Sequence, residues 1–253
     1  MEFLGIIPAR YNSVRFPGKP LAMLGEKTVI QRVYEQSRKS LDEVFVATDD
    51  RRIYDHVTGF GGNVVMTSEL HRSGTDRCRE AMDSIIAGTG IQPDVIINIQ
   101  GDEPFLRQEQ IEQLKACFDD ADTDIATLIK RVENNGEIFD ENKPKVVFNN
   151  QYFALYFSRS PIPFIRGRHR DNWMESHEFY RHLGIYAYRK AVLKKLASLD
   201  MSDLEAAESL EQLRWLENGF RIKVAETTFE SVGIDTPADL KSALGFLEKS
   251  GQE

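Results

Sequence analysis

Apolar and polar positions along this chain follow two different rhythms, one in each half. In the first half, short apolar runs alternate with segments whose apolar residues recur at helical spacing. Phe3 to Pro8 is a compact apolar run, the form taken by a strand buried on both faces. From Thr28 to Ser40, residues Ile30, Val33, Tyr34 and Ser37 share one helical face. Val44 to Thr48 predicts a second strand and Arg51 to Phe60 a second helix. Asn63 to Thr67 and Asp76 to Ala87 repeat the pair, and Asp94 to Ile99 with Gln108 to Phe118 repeat it again. Strand and helix in alternation imply right-handed crossovers and an α/β fold with a mainly parallel central sheet flanked by helices.

The second half departs from this order. Ile125 to Val132, Lys145 to Phe148 and Tyr152 to Phe157 read as successive strands with short Asn-rich connections, for which antiparallel pairing is the simplest solution. A basic, Pro-punctuated loop runs from Ser160 to Arg170, and a mixed segment surrounds Leu183-Gly184-Ile185-Tyr186. Asp203 to Asn218 predicts one long amphipathic helix stopped by Gly219. A last strand at Ile222–Glu226 and a helix at Pro237–Leu247 complete the pattern. With no repeat and no low-complexity linker, the expectation is a single domain over 1–253 with a β-rich insertion at about 125–200.

Composition narrows the class. The 253 residues are 41% hydrophobic and 28% charged, an ordinary globular balance and enough to bury a continuous core. With 40 acids against 32 bases the net charge is −8, which excludes a general nucleic-acid coat. Two cysteines, Cys78 and Cys117, cannot build a disulfide framework and read as small core residues. No apolar run reaches the roughly 18 residues of a membrane span, and the first residues read as a strand, not a leader. A reducing cytoplasm is the expected location.

Charge matters more by distribution than by sum. From Phe3 to Gly25 there is no acid but three bases, Arg10, Arg15 and Lys19, in the loop that follows the first strand. Ligands of open parallel sheets bind outside the carboxyl ends of the strands, and a basic Gly/Pro-shaped loop there suits a polyphosphate. Gly18-Lys19 is not a P-loop, because Ser13 stands where its first glycine belongs and Pro20 where Ser or Thr belongs. A second candidate is Gln100-Gly101-Asp102-Glu103-Pro104, whose acid after a buried strand can serve a hard cation. In Asp235-Thr236-Pro237-Ala238-Asp239, helix capping accounts for Thr236, Pro237 and Asp239, which leaves Asp235 free for a metal. His177 and His182 are five apart and would diverge by about 140° on a helix, which rules out the usual zinc pair. A Gly-x-Ser-x-Gly nucleophile elbow is absent from the sequence.

These segments carry a resemblance. Ile6-Ile7-Pro8-Ala9-Arg10 through Pro17-Gly18-Lys19-Pro20 is similar to the opening signature of sugar nucleotidyltransferases in their cytidylyltransferase form. Ser73-Gly74-Thr75-Asp76-Arg77, Gln100-Gly101-Asp102-Glu103-Pro104, Tyr156-Phe157-Ser158-Arg159, Arg181-His182-Leu183-Gly184-Ile185-Tyr186, Leu210-Glu211-Gln212-Leu213-Arg214 and Gly233-Ile234-Asp235-Thr236-Pro237 follow in order. Together they resemble the family that activates 3-deoxy-manno-octulosonate (Kdo) for lipopolysaccharide assembly.

The resemblance implies CTP and Kdo as substrates, CMP-Kdo and pyrophosphate as products, Mg²⁺ as cofactor and a homodimer formed through the β-rich insertion. It implies that Ala9, Arg10, Ser13, Arg15, Lys19, Ser73, Arg77 and Gln100 hold the nucleotide. Asp102 and Asp235 would be the magnesium carboxylates, acting in catalysis with Lys19 and Arg10. Arg159, His182, Tyr186, Glu211 and Gln212 would line the sugar-acid site. Another acidic sugar, such as 8-amino-Kdo or a sialic acid, and a non-catalytic nucleotide-binding regulator are the alternatives. The role of the basic loop at 166–170 stays open, as does any general base.

Overall fold

Phe3–Ala9 forms β1, almost wholly buried, as its unbroken apolar run requires of an inner strand. In this computed structural model, residues 1–71, 73–230 and 232–250 are described. The chain forms two compact units, Met1–Ile111 with Ser231–Glu253, and Glu112–Glu230.

The first unit follows β1 with a two-stranded antiparallel ribbon, β2 (Met23–Leu24) and β3 (Lys27–Thr28). Then come α1 (Val29–Arg38), β4 (Glu43–Thr48), α2 (Arg51–Gly59), β5 (Val64–Met66), α3 (Gly74–Thr89) and β6 (Val95–Asn98). Outside that ribbon, its strands stand in the order β6-β1-β4-β5 and pair parallel, so their carboxyl ends share one edge. Helix α1 buries Ile30, Val33, Tyr34 and Ser37, the face its spacing predicts. Helix α4 (Gln108–Ala116) carries the chain into the second unit.

That unit contains β7 (Ile125–Arg131), α5 (Asn135–Phe139), β8 (Lys145–Phe148), β9 (Ala154–Ser158), β10 (Tyr180–Arg189), α6 (Lys190–Leu196), α7 (Asp203–Glu208), α8 (Glu211–Glu217) and β11 (Ile222–Glu226). β10 pairs antiparallel with β7 and β8, β8 antiparallel with β9, and β11 parallel with β7. Val132, Ile138, Trp173 and Phe179 form one of its apolar clusters.

Helix α9 (Pro237–Ser250) returns the chain to the first unit. There Ala243 and Leu247 pack with Leu24, Val29, Phe105 and Ile234. This packing anchors the segment that carries Asp235 beside the β2–β3 ribbon.

Two elements differ from the sequence reading. The mixed segment around Leu183 lies inside the ten-residue strand β10, whose pairing with β7 shifts register between Leu183 and Tyr186. That irregularity hid the period of two. The single helix expected over Asp203–Asn218 is two helices, because Ser209 adopts the left-handed conformation (φ 52°) and ends α7. Ser202 and Glu205 form a capping box at the start of α7, and Glu205 also receives both arms of Arg214 from α8 at 2.6 Å. The amphipathic spacing survives the break because the two short helices pack on each other, and spacing alone does not reveal the turn.

Candidate active site

A cleft of about 320 Å³ opens in the first unit at the carboxyl ends of β1 and β6. The end of β1 contributes Ala9 and the loop after it Arg10, Ser13 and Lys19; the first turn of α3 with its cap contributes Ser73 and Arg77; the segment after β6 contributes Gln100 and Asp102. All eight were singled out from the sequence. Asn12 and Gly74 also line it and were not.

The wall depends on one close approach. A Cβ on Gly101 would lie 2.8 Å from the carbonyl oxygen of Pro8, so only glycine lets the β6 end pass this close to the β1 end. Ser73 caps α3 by accepting from the Asp76 N–H at 3.1 Å. The helix therefore presents its N-terminal backbone and positive dipole end to the cleft, a favourable surround for phosphate.

The cations of the cleft are held in different ways. Arg77 has a fully buried side chain, with its guanidinium on Asp49 at 2.5 Å and on the Thr67 hydroxyl. Arg10 donates to the His71 carbonyl. Burial and the neighbouring Arg77 charge lower the Arg10 pKa, while Asp49 and Asp76 act against this. Sequence reasoning missed Asp49, although it directly follows β4 at the same sheet edge, where the strand-end rule points.

Lys19, Asp102 and Asp235 meet at the mouth. The Lys19 ammonium donates to Asp102 Oδ2 at 2.6 Å and to Asp235 Oδ1 at 3.2 Å. A backbone bond from Ile234 N–H to the Asp102 carbonyl, 2.9 Å, sets the two acidic segments side by side. Asp239 closes a reciprocal cap with Thr236 and also accepts the Asp235 N–H at 3.1 Å. The Asp235 carboxylate is thereby left for Lys19 and for Arg15, which reaches it at 3.1 Å. Arg15 does not line the cleft; its side chain is 66% exposed and stands on the outer side of Asp235.

The remaining candidates lie in the second unit. Arg159 gives its guanidinium to the carbonyls of Glu208, Glu141 and Ser209, and contacts no carboxylate with it among the described residues. His182, on β10, bonds Thr127 Oγ1 at 3.0 Å and packs against Phe157 and Tyr186 with ring centroids 5.2 Å apart in each case. Burial pulls the His182 pKa down to about 3, so the ring is neutral near pH 7. Burial also drives Tyr186 well above the ordinary phenol range. The left-handed turn at Ser209 starts α8 with Glu211 and the buried Gln212. The Tyr186 hydroxyl and Gln212 Nε2 are buried without a hydrogen-bond partner among the described residues. Such groups are costly unless something polar joins them.

A parallel sheet with a cation-lined cleft at its strand ends, and two carboxylates gathered on Lys19 beside it, is the arrangement of a nucleotide-handling α/β enzyme. A family model described as Cytidylyltransferase matches residues 4–224, and the chain belongs to that family. The chain is 59% identical over 251 residues to 3-deoxy-manno-octulosonate cytidylyltransferase of Parabacteroides distasonis, covering 98% of each chain. It is 57% identical to the protein of that name from Bacteroides thetaiotaomicron, covering 98% of this chain and 99% of the other. A solved CMP:2-keto-3-deoxy-manno-octonic acid synthetase, complexed with CTP, superposes with a TM-score of 0.90 at 40% identity, covering 99% of this chain and 100% of that one.

Proposed function

We propose that this protein transfers CMP from CTP to the anomeric hydroxyl of Kdo, releasing pyrophosphate. The observation that carries this reading is the cleft at the ends of β1 and β6, with Arg10, Lys19 and Arg77 on its walls and Asp102 at its rim. The high identity to relatives named for this activity supports it.

Displacement at the α-phosphorus asks for in-line placement and neutralised charge, not for a covalent partner. Both reactants are anionic, so their repulsion must be offset locally. Arg77, pinned by Asp49 and Thr67, offers a fixed cation that need not reorganise when phosphate arrives. Lys19 is the cation with freedom to follow the leaving phosphates, on its flexible stem. The α3 N-terminus and Ser73 add donors at the same wall.

Asp102 and Asp235 fit Mg²⁺: their oxygens come within hydrogen-bonding reach of one ammonium, and two carboxylates beside phosphates are the hard oxygen set this ion takes. Bound there, the ion would neutralise charge at the reacting phosphates and ease ionisation of the attacking hydroxyl.

The sugar acid falls to the group in the second unit. The Arg159 charge, which meets no carboxylate at its guanidinium among the described residues, suits the sugar's carboxylate. The Tyr186 hydroxyl and Gln212 Nε2, without a partner among the described residues, suit its hydroxyls. His182 and Tyr186 stay neutral and orient the polyol; with these pKa directions neither exchanges a proton with it near pH 7.

We place the reaction in the cytoplasm, where CTP is made, as a step of lipopolysaccharide assembly. No helix of the described residues is long and apolar enough to cross a membrane. A homodimer is supported by the exposed Tyr152, Leu155 and Phe164 of the second unit, and sedimentation measures it. The deciding assay is pyrophosphate release from CTP, Kdo and Mg²⁺ together and not from any two. Turnover of 8-amino-Kdo or a sialic acid in place of Kdo would reassign the substrate. Tight CTP binding with no turnover of any sugar acid would make the protein a nucleotide-binding regulator.

A further inference from the structure

We propose that Lys19 fills the divalent-cation position of this site in the free protein and gives it up to nucleotide phosphates, so that cation and CTP bind as a coupled pair. The proposal rests on the reading of Asp102 and Asp235 as cation ligands.

The geometry is that of an internal counter-ion. One ammonium stands 2.6 Å from Asp102 Oδ2 and 3.2 Å from Asp235 Oδ1, while Arg15 takes Asp235 Oδ2 at 3.1 Å. Two positive side chains thus hold the two carboxylates in the free protein, with a third carboxylate, that of Asp239, close enough to Arg15 to feel its charge. Within this group the lysine lies deeper than the paired acids: its side chain is 12% exposed, against 29% for Asp102 and 46% for Asp235. A cation arriving from solvent finds the point between the carboxylates already taken by charge of its own sign.

The two segments that carry the carboxylates are tied together at the backbone. The Ile234–Asp102 backbone bond joins their segments, and Asp239 clamps the backbone at Asp235 and Thr236. What can move is the Lys19 side chain. It lines the cleft as well as the acidic pair. A triphosphate in the cleft therefore offers it new charge-assisted partners within its own reach. Arg15, already largely in solvent, can release Asp235 at small cost. Once both cations have turned away, the acidic pair is left uncompensated and ready for a divalent ion. By linkage, the ion then favours nucleotide as strongly as nucleotide favours the ion.

The experiment measures Mn²⁺ binding to the whole chain without nucleotide, from the electron spin resonance of free Mn²⁺. Lys19→Met and Lys19→Gln should bind Mn²⁺ at least about fivefold more tightly than wild type, the lower end of usual coupling strengths. Adding Asp102→Asn should abolish that gain. Arg15→Gln removes equal charge from Asp235 without emptying the shared position, and its gain should be clearly smaller. Because removing Lys19 can loosen its loop, wild type provides an independent measurement. Metal-free CTP should shift the ¹³Cε resonance assigned to Lys19.

Equal Mn²⁺ affinity in wild type and both lysine variants would overturn the proposal, as would an Arg15→Gln gain matching theirs or a Lys19 resonance indifferent to CTP. In any of these cases, weakened Mn²⁺ binding by Asp102→Asn in the CTP complex would leave the ligand reading standing. Undiminished Mn²⁺ binding there would remove both.

Discussion

Asp49→Asn tests how the cleft carries buried charge. Arg77 and Asp49 pair at 2.5 Å with side chains only 1% and 15% exposed, so water does little to screen either ion. Removing one partner of such a pair leaves the other charge stranded, at a cost of about 3–5 kcal/mol. Asparagine can still accept a hydrogen bond from the guanidinium, and Thr67 keeps its own, which places the expected loss near the lower edge, about 3 kcal/mol. For a chain of this length that corresponds to a drop in melting temperature of about 6–12 °C. Urea unfolding gives the more direct measure: the midpoint should fall while the slope stays constant. Adding Arg77→Met should recover part of the loss, because an apolar replacement of a buried pair is often close to neutral. A loss under about 1 kcal/mol, the size of a surface pair, would refute the claim that Asp49 carries the Arg77 charge. So would a double variant no better than the single.

Three further outcomes follow from the same geometry. Asp102→Asn should fold normally by circular dichroism and lose at least about a hundredfold in rate of pyrophosphate release, as removal of a principal charge stabiliser does. Gly101→Ala should cost about 1–3 kcal/mol by overpacking against the Pro8 carbonyl and raise the KM for CTP, measured by urea unfolding and steady-state kinetics. His182 gives a signed pH effect: its folded pKa, about 3, lies below the ordinary 6.5, so below pH 6.5 the unfolded chain binds the extra proton. Its contribution to stability is therefore complete above that value and declines as pH falls toward 3. His182→Gln should flatten this part of the stability profile in acid urea titrations.

How much of this was legible in the sequence differs by element. The alternation of apolar runs and helical faces gave the parallel strands of the first unit nearly to the residue, because a strand buried on both faces must be apolar throughout. The acid-free run with Arg10 and Lys19 marked the cleft, because phosphate needs local positive charge at a strand end. Asp235 was separable from its helix cap because Thr236 and Asp239 satisfy each other, leaving its carboxylate unused by the cap.

Tertiary structure decided the rest. Nothing in the order of residues brings positions 19, 102 and 235 to one ammonium; a backbone bond between Ile234 and Asp102 and the packing of α9 on Leu24 and Val29 do so. Asp49 became the partner of Arg77 only when β4 and α3 came together over a buried space too dry for an unpaired guanidinium. The turn at Ser209 escaped the helical pattern because two helices that pack on each other satisfy the same amphipathic spacing as one. The sequence determined which surfaces must leave water and which segments carry charge. Only the fold determined which charges meet, since an ion pair depends on distances that no local period encodes.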